Sequence, residues 1–208
     1  MENIDLLKYE KELKKEGYKH IGGTDEAGRG PLYGPVVAAC VALPEHFELE
    51  GLNDSKKLTE KKREKFYDYL INHVPYGIGI VDAKRIDEIN IYEASREAMK
   101  IAIKNLREKV DLDVVITDAM PIDLDIKVIP IIKGDAKSLT IAAASVIAKV
   151  TRDHMLYEVD KTHPEYGFKN HKGYPTKAHL EAINKYGLID GYRLTYGPIK
   201  KYKEEGKC

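Results

Sequence analysis

Cysteine is almost absent from this sequence: Cys40 sits in an apolar run and Cys208 closes the chain. Two such residues make no disulfide framework, and no Cys/His cluster stands ready for zinc. Net charge is missing too, since 34 basic residues balance 34 acidic ones. No apolar run is long enough to cross a bilayer. The longest weakly polar segment, residues 139–150, is interrupted by Lys149 and falls far short of the ~20 residues a span needs. The opening Met-Glu-Asn-Ile-Asp lacks the basic-then-apolar order of a signal peptide. Internal repeats, low-complexity segments and clear linkers are also lacking. These absences leave a globular protein expected in the cytoplasm. At 208 residues, 43% hydrophobic and 33% charged, it is long enough for one sizeable domain with a small appended lobe.

The zero net charge hides an uneven distribution. From Lys161 to Cys208 ten Lys or Arg stand against five Asp or Glu, a net of +5, which leaves −5 for residues 1–160. Within that acidic part, Lys56 to Lys65 holds six basic residues in ten. Two basic regions flanking an acidic centre suit a polyanion held over a metal site. A pair of solvated helix faces accounts for the same charges.

The acidic centre is the stretch Ile21-Gly-Gly-Thr-Asp-Glu-Ala-Gly-Arg-Gly-Pro-Leu-Tyr-Gly-Pro35. Successive side chains of a strand point to opposite faces. Asp25 and Glu26 therefore share a site only if the backbone leaves strand geometry there, which nearby glycines permit. A cation explains the acids, and a ligand lying against the chain explains the bare backbone of Gly28 and Gly30. A hairpin turn is the plainer alternative. A dinucleotide-binding loop fits poorly, because its glycines must open a helix, whereas Pro31 and Pro35 interrupt this loop and Val36 to Leu43 reads as strand.

Elsewhere, periodicity predicts a short amphipathic helix over 5–17 and a helix from the N-cap Thr59 to about Asn72. It predicts a Gly-interrupted strand over 76–81, making the first three strands an antiparallel meander, and a helix over 91–106. Strands are expected over 113–117 and 126–132, then helices over 138–157 and 177–186, the last between Thr176 and Gly187. This order predicts an α/β fold, a mixed sheet with helices on both faces. Asp25, Glu26, Asp118 and Asp135 then fall at strand ends or just past them, where active sites of open α/β sheets gather. Such a carboxylate set suits Mg²⁺ or Mn²⁺. Ordinary turn positions account for Asp118 and Asp135 equally well when each is taken alone. Asp153 lies within a predicted helix and is expected to pair with Arg152 or another neighbour.

Residues 25–39, Asp-Glu-Ala-Gly-Arg-Gly-Pro-Leu-Tyr-Gly-Pro-Val-Val-Ala-Ala, resemble the signature of ribonuclease HII, the type 2 ribonuclease H family. Four further blocks follow in the same order: Asn53-Asp-Ser-Lys-Lys-Leu58, Lys133-Gly-Asp135, residues 142–153, and His171-Lys-Gly-Tyr-Pro-Thr176. The resemblance, from about Gly22 to Pro198, implies a ribonuclease H-like five-stranded sheet in a single catalytic domain with a helical C-terminal lobe (about 160–208), to which the short N-terminal helix (about 1–18) is added. It implies an endonuclease acting on RNA–DNA hybrids and on ribonucleotides embedded in DNA, hence ribonucleotide excision repair; a monomer is expected. Cleavage would leave 3′-hydroxyl and 5′-phosphate ends. Asp25, Glu26, Asp118 and Asp135 match the family's metal-binding carboxylates, serving two ions ~3.5–4 Å apart. Gly28, Arg29 and Gly30 would read the 2′-OH, Tyr174 would pack on the next deoxyribose, and Ser55, Lys56, Lys172 and Arg193 would contact phosphates. An inactive nucleic-acid-binding module of this fold is the alternative, and a small-molecule phosphatase is a weaker one. Two residues depart from the family pattern: Ala119 stands where glycine is usual, which puts the turn after Asp118 in doubt, and Thr24 stands where an aliphatic residue is usual.

Overall fold

Val36–Ala42 holds no charged residue, and all seven of its side chains are buried in the computed structural model, which describes residues 5–206. Helices on both sides make that burial complete. The segment before it, β1 (Ile21–Ala27), pairs antiparallel with this second strand, β2, and β3 (Tyr76–Val81) pairs antiparallel on the far side. β4 (Val114–Asp118) lies parallel to β1, and β5 (Lys127–Ile131) lies parallel to β4. The order β3-β2-β1-β4-β5 is the expected mixed five-stranded sheet with its antiparallel meander.

The helices follow in chain order as α1 (Lys8–Lys15), α2 (Glu60–His73), α3 (Ala83–Arg107), α4 (Leu139–Thr162), α5 (Phe168–His171), α6 (Lys177–Tyr186) and α7 (Gly197–Glu204). Side chains alternate across β2, so Val36, Ala38 and Cys40 meet α3 while Ala39 and Val41 meet α2 and α4. Leu32 and Tyr33, just past β1, pack with Phe168, Ile183, Tyr192 and Ile199. That cluster ties the C-terminal helices to the end of the sheet that carries the acids. Thr59, Ser138 and Thr176 cap α2, α4 and α6, each accepting a main-chain N–H. Among the described residues, no helix is long and apolar enough to cross a membrane. Residues 1–4, the start of the expected N-terminal segment, and Cys208 lie outside the described residues.

Two expectations are corrected. The helix expected over 91–106 extends back to Ala83, where Asp82 caps it by accepting from Arg85 N, and it breaks at Asn90, whose φ is +68°. Asn90 Oδ1 accepts from the amides of Tyr92 and Glu93, which restarts the helix at the expected place. The departure from strand geometry at Asp25 and Glu26 does not occur either. Both acids lie inside β1, whose pairing with β2 runs on to Ala27 opposite Val37.

Candidate active site

That unbroken pairing decides how the acids are shared. Asp25 stands opposite Ala39 and Glu26 opposite Ala38, so Asp25 looks to the α4 face and Glu26 to the α3 face. On the parallel side Thr24 pairs with Thr117, which sets Asp118, the last residue of β4, beside Asp25. Asp135 arrives from a 3₁₀ turn, Gly134–Ala136, between β5 and α4. Asp25, Asp118 and Asp135 each offer a carboxylate oxygen, and these oxygens lie within 4.8 Å of one another. Gly134 N donates to Asp118 Oδ1 at 2.7 Å, and Lys56 Nζ reaches Asp135 Oδ2 at 3.1 Å. Glu26 is not part of this three-acid group. Its Oε1 accepts from Arg29 at 3.2 Å, while its Oε2 is buried with no hydrogen-bond partner.

The two departures from the expected pattern are accommodated locally. Ala119 adopts φ +54°, the left-handed conformation that favours glycine, and its N–H donates to Ile131 O at 3.0 Å. The turn after Asp118 is therefore closed by that bond at some backbone strain. Thr24 is fully buried, but its hydroxyl donates to Ala39 O at 2.7 Å, so no polar group is orphaned.

Beyond β1 the glycine loop is held from beneath by two buried arginines. Arg193, fully buried, donates to Gly34 O at 2.9 Å, Arg29 O at 3.0 Å and Gly28 O at 2.6 Å. Arg152 donates to Pro35 O, Tyr33 O and Lys172 O at 2.9–3.0 Å. Gly28 has φ +97°, and a β-carbon there would collide with the Arg152 side chain, so only glycine fits. At Gly30 a β-carbon would come 3.2 Å from Tyr174 Cε1. The loop and the Tyr174 block, 144 positions apart, thus face each other. Tyr174 is held by its backbone, its carbonyl accepting from His179 Nδ1 at 2.9 Å, and its ring remains exposed.

A family profile described as Ribonuclease HII matches residues 22–196. The chain belongs to that family. It is 52% identical over 198 residues to a ribonuclease HII of Bacillus cytotoxicus, covering 95% of this chain and 76% of the relative. It is 54% identical over 195 residues to one from Acetivibrio thermocellus, covering 93% of this chain and 75% of that relative. Among solved structures, the ribonuclease H2 of Pyrococcus horikoshii matches with a TM-score of 0.74 at 29% identity, over 90% of this chain and 98% of that one. Membership makes the chain a metal-dependent endoribonuclease acting on RNA–DNA hybrids.

The electrostatics suit the metal dependence of a ribonuclease HII. Burial, then the charges of Glu26 and Asp118, push the Asp25 carboxyl well above the usual range. Burial, then Asp135, raises Asp118, and burial raises Glu26 against the opposing pull of Arg29. Acids crowded in this way are stabilised by a cation among them. The donors are hard carboxylate oxygens with no Cys or His in the group, a set that fits a divalent ion of the magnesium type.

The positions expected to touch substrate divide into two groups. Lys56 and Tyr174 are exposed, and Arg29 is exposed with its guanidinium beside Glu26. Arg193 is not at the surface: its donors are spent on main-chain carbonyls and on Tyr196, which corrects the expectation of direct phosphate contact. Ser55 is largely covered, with its N–H donating to Ser145 Oγ at 3.3 Å and its carbonyl accepting from Arg63. Lys172 turns its ammonium over the Tyr157 ring, 4.3 Å from the centroid. Asp153 pairs with Lys149 at 2.6 Å, outside the acid group. Sequence spacing pairs Arg152 only with Asp153 and does not single out His179, because their partners lie in the loops they hold. Burial, then the charge of Arg193, lowers Arg152 only to about 10, so it stays charged at neutral pH. Burial lowers His179 to about 4, so this imidazole stays neutral while supporting Tyr174.

Proposed function

We propose that this ribonuclease cleaves at single ribonucleotides embedded in DNA duplexes as well as along RNA–DNA hybrids, leaving 3′-hydroxyl and 5′-phosphate ends. The observation that carries the reading is the facing of Tyr174 and Gly30, the latter just past the strand that brings Asp25 to the three-carboxylate group. Asp25, Asp118 and Asp135 would hold Mg²⁺ or Mn²⁺. Glu26, turned to the other face of β1 yet close enough for its charge to raise Asp25, would join them as the fourth carboxylate for a second ion, a role supported by its buried, unpartnered Oε2. When bound, the ions supply an activated water and a counter-charge for the leaving oxygen.

The chain's own residues position the strand. Main-chain groups of Gly28, Arg29 and Gly30 read the 2′-OH, the feature that separates RNA from DNA. Tyr174 packs on the following deoxyribose, where an added hydroxyl would crowd its ring. Lys56 contacts phosphate, with Ser55 backing it and Lys172 as an outlying contact. Arg193 serves substrate indirectly, by shaping the loop. The enzyme works as a monomer in the cytoplasm, as one catalytic unit with its helical C-terminal lobe.

The test is incubation with a DNA duplex holding one ribonucleotide, with Mg²⁺ or Mn²⁺ against excess EDTA. Metal-dependent cleavage at the ribonucleotide, leaving 3′-hydroxyl and 5′-phosphate ends, is expected. Full activity in EDTA, or cleavage of uninterrupted hybrids alone, overturns the reading.

A further inference from the structure

The N-terminal helix has no place in the chemistry described so far, yet one of its side chains reaches the end of the turn that carries Asp135. Glu10 of α1 is buried, and a single oxygen, Oε1, accepts three hydrogen bonds: Ser138 Oγ at 2.6 Å, Thr140 Oγ1 at 2.7 Å and Thr140 N at 3.1 Å. Its Oε2 is buried without a partner. An acceptor oxygen held this way at the start of α4 faces the positive end of the helix dipole. Capping is only part of its role: Ser138 Oγ caps Ile141 N at 3.1 Å, while Glu10 takes the Ser138 and Thr140 hydroxyls besides the Thr140 amide. The same corner is pinned a second time, with Leu139 N donating to Leu6 O at 2.8 Å.

The bonds lead straight to the acids. Ser138 N donates to Gly134 O at 2.8 Å, closing the turn that contains Asp135. Gly134 N donates to Asp118 Oδ1 at 2.7 Å. One tight turn therefore fixes Asp135 and orients Asp118, and Glu10 grips its far end. Lys133, at the near end, has φ +58°, a left-handed conformation that persists only where surrounding contacts hold it.

We propose that Glu10 is a positioning residue for the metal site, setting the turn through which Asp135 and Asp118 are presented. This rests on the reading of Asp135 as a metal ligand. Groups that orient metal ligands without touching the ion are worth about 10–100-fold in metal affinity or activity.

The experiment titrates the full-length protein with Mn²⁺, following free Mn²⁺ by electron paramagnetic resonance, and repeats the titration in cleavage assays. Glu10→Ala is expected to raise the Mn²⁺ dissociation constant roughly tenfold, and to raise the metal concentration for half-maximal rate in parallel. Glu10→Gln keeps the acceptor oxygen and is expected to stay near wild type in metal affinity. Glu10→Ala that melts earlier yet binds Mn²⁺ as wild type does would make the contact purely structural and overturn the proposal. If Glu10→Ala does not fold, Thr140→Val removes one of the three bonds. A several-fold weaker Mn²⁺ affinity in that variant then supports the proposal, and an unchanged one overturns it. Asp135→Asn is run alongside. If that variant binds Mn²⁺ and cleaves as wild type does, the ligand reading of Asp135 fails, whatever Glu10 does.

Discussion

Lys56 Nζ lies 3.1 Å from Asp135 Oδ2, so the lysine expected to meet phosphate pairs with an acid expected to hold metal. Burial opposes the charge on this ammonium, but the hydrogen bond and charge of Asp135 outweigh it and raise the Lys56 pKa. On the proposed reading, the same cation competes with a divalent ion for Asp135 and turns to a phosphate once the ion arrives. Lys56→Ala should then tighten Mn²⁺ binding to the substrate-free protein by up to about fivefold, the scale of an exposed ion pair. It should also raise KM for the duplex and reduce the salt slope of binding by about one. Calorimetry with Mn²⁺ and KM measured against salt check both halves. An unchanged KM leaves Lys56 a counter-ion only.

Asp25→Asn should abolish cleavage while stabilising the metal-free protein. The folded pKa of Asp25 is raised, through burial first and then the neighbouring acids. Its contribution to stability is therefore fully present below about pH 4, its unfolded range, and is lost as pH rises through the folded value. A neutral Asn avoids that loss. In EDTA at pH 8 the variant should melt higher, by roughly 2–4 °C for each kcal/mol relieved, with the difference vanishing toward about pH 4. Melting curves across that range decide it. A gain that grows in acid contradicts the sign.

Arg193→Ala should act through the loop rather than on phosphate. It removes a guanidinium bonded to three carbonyls, and a buried acceptor left unsatisfied costs about 1–3 kcal/mol. A lower melting temperature and a loss of cleavage are expected, with the salt slope of duplex binding unchanged. A slope reduced by about one would restore the direct phosphate role.

Gly30→Ala and Tyr174→Ala should fail in related ways. The added β-carbon would stand 3.2 Å from the Tyr174 ring and displace it, while Tyr174→Ala removes the ring altogether. Both should slow cleavage at a lone ribonucleotide more than cleavage of an uninterrupted RNA strand, with Mn²⁺ affinity unaffected. Kinetics on two matched duplexes read this out. If Tyr174→Ala slows neither, the tyrosine is structural.

What the sequence determined by itself was local. Apolar runs and caps placed the strand at Tyr76–Val81 and the helix at Lys177–Tyr186 as expected, because periodicity and N-capping are settled within a few residues of chain. The acids were legible because Asp-Glu beside Gly-Arg-Gly is an uncommon composition for a strand end. Only the tertiary structure decided which acids meet. The register of β1 between β2 and β4 turned Asp25 toward Asp118 and Glu26 to the opposite face. Tertiary contact also decided that Arg193 supports Gly28 across 165 positions and that Glu10 grips Thr140 across 130. A buried charge takes its partner from whatever the packed layers bring beside it, and no pattern of spacing along the chain records that neighbour.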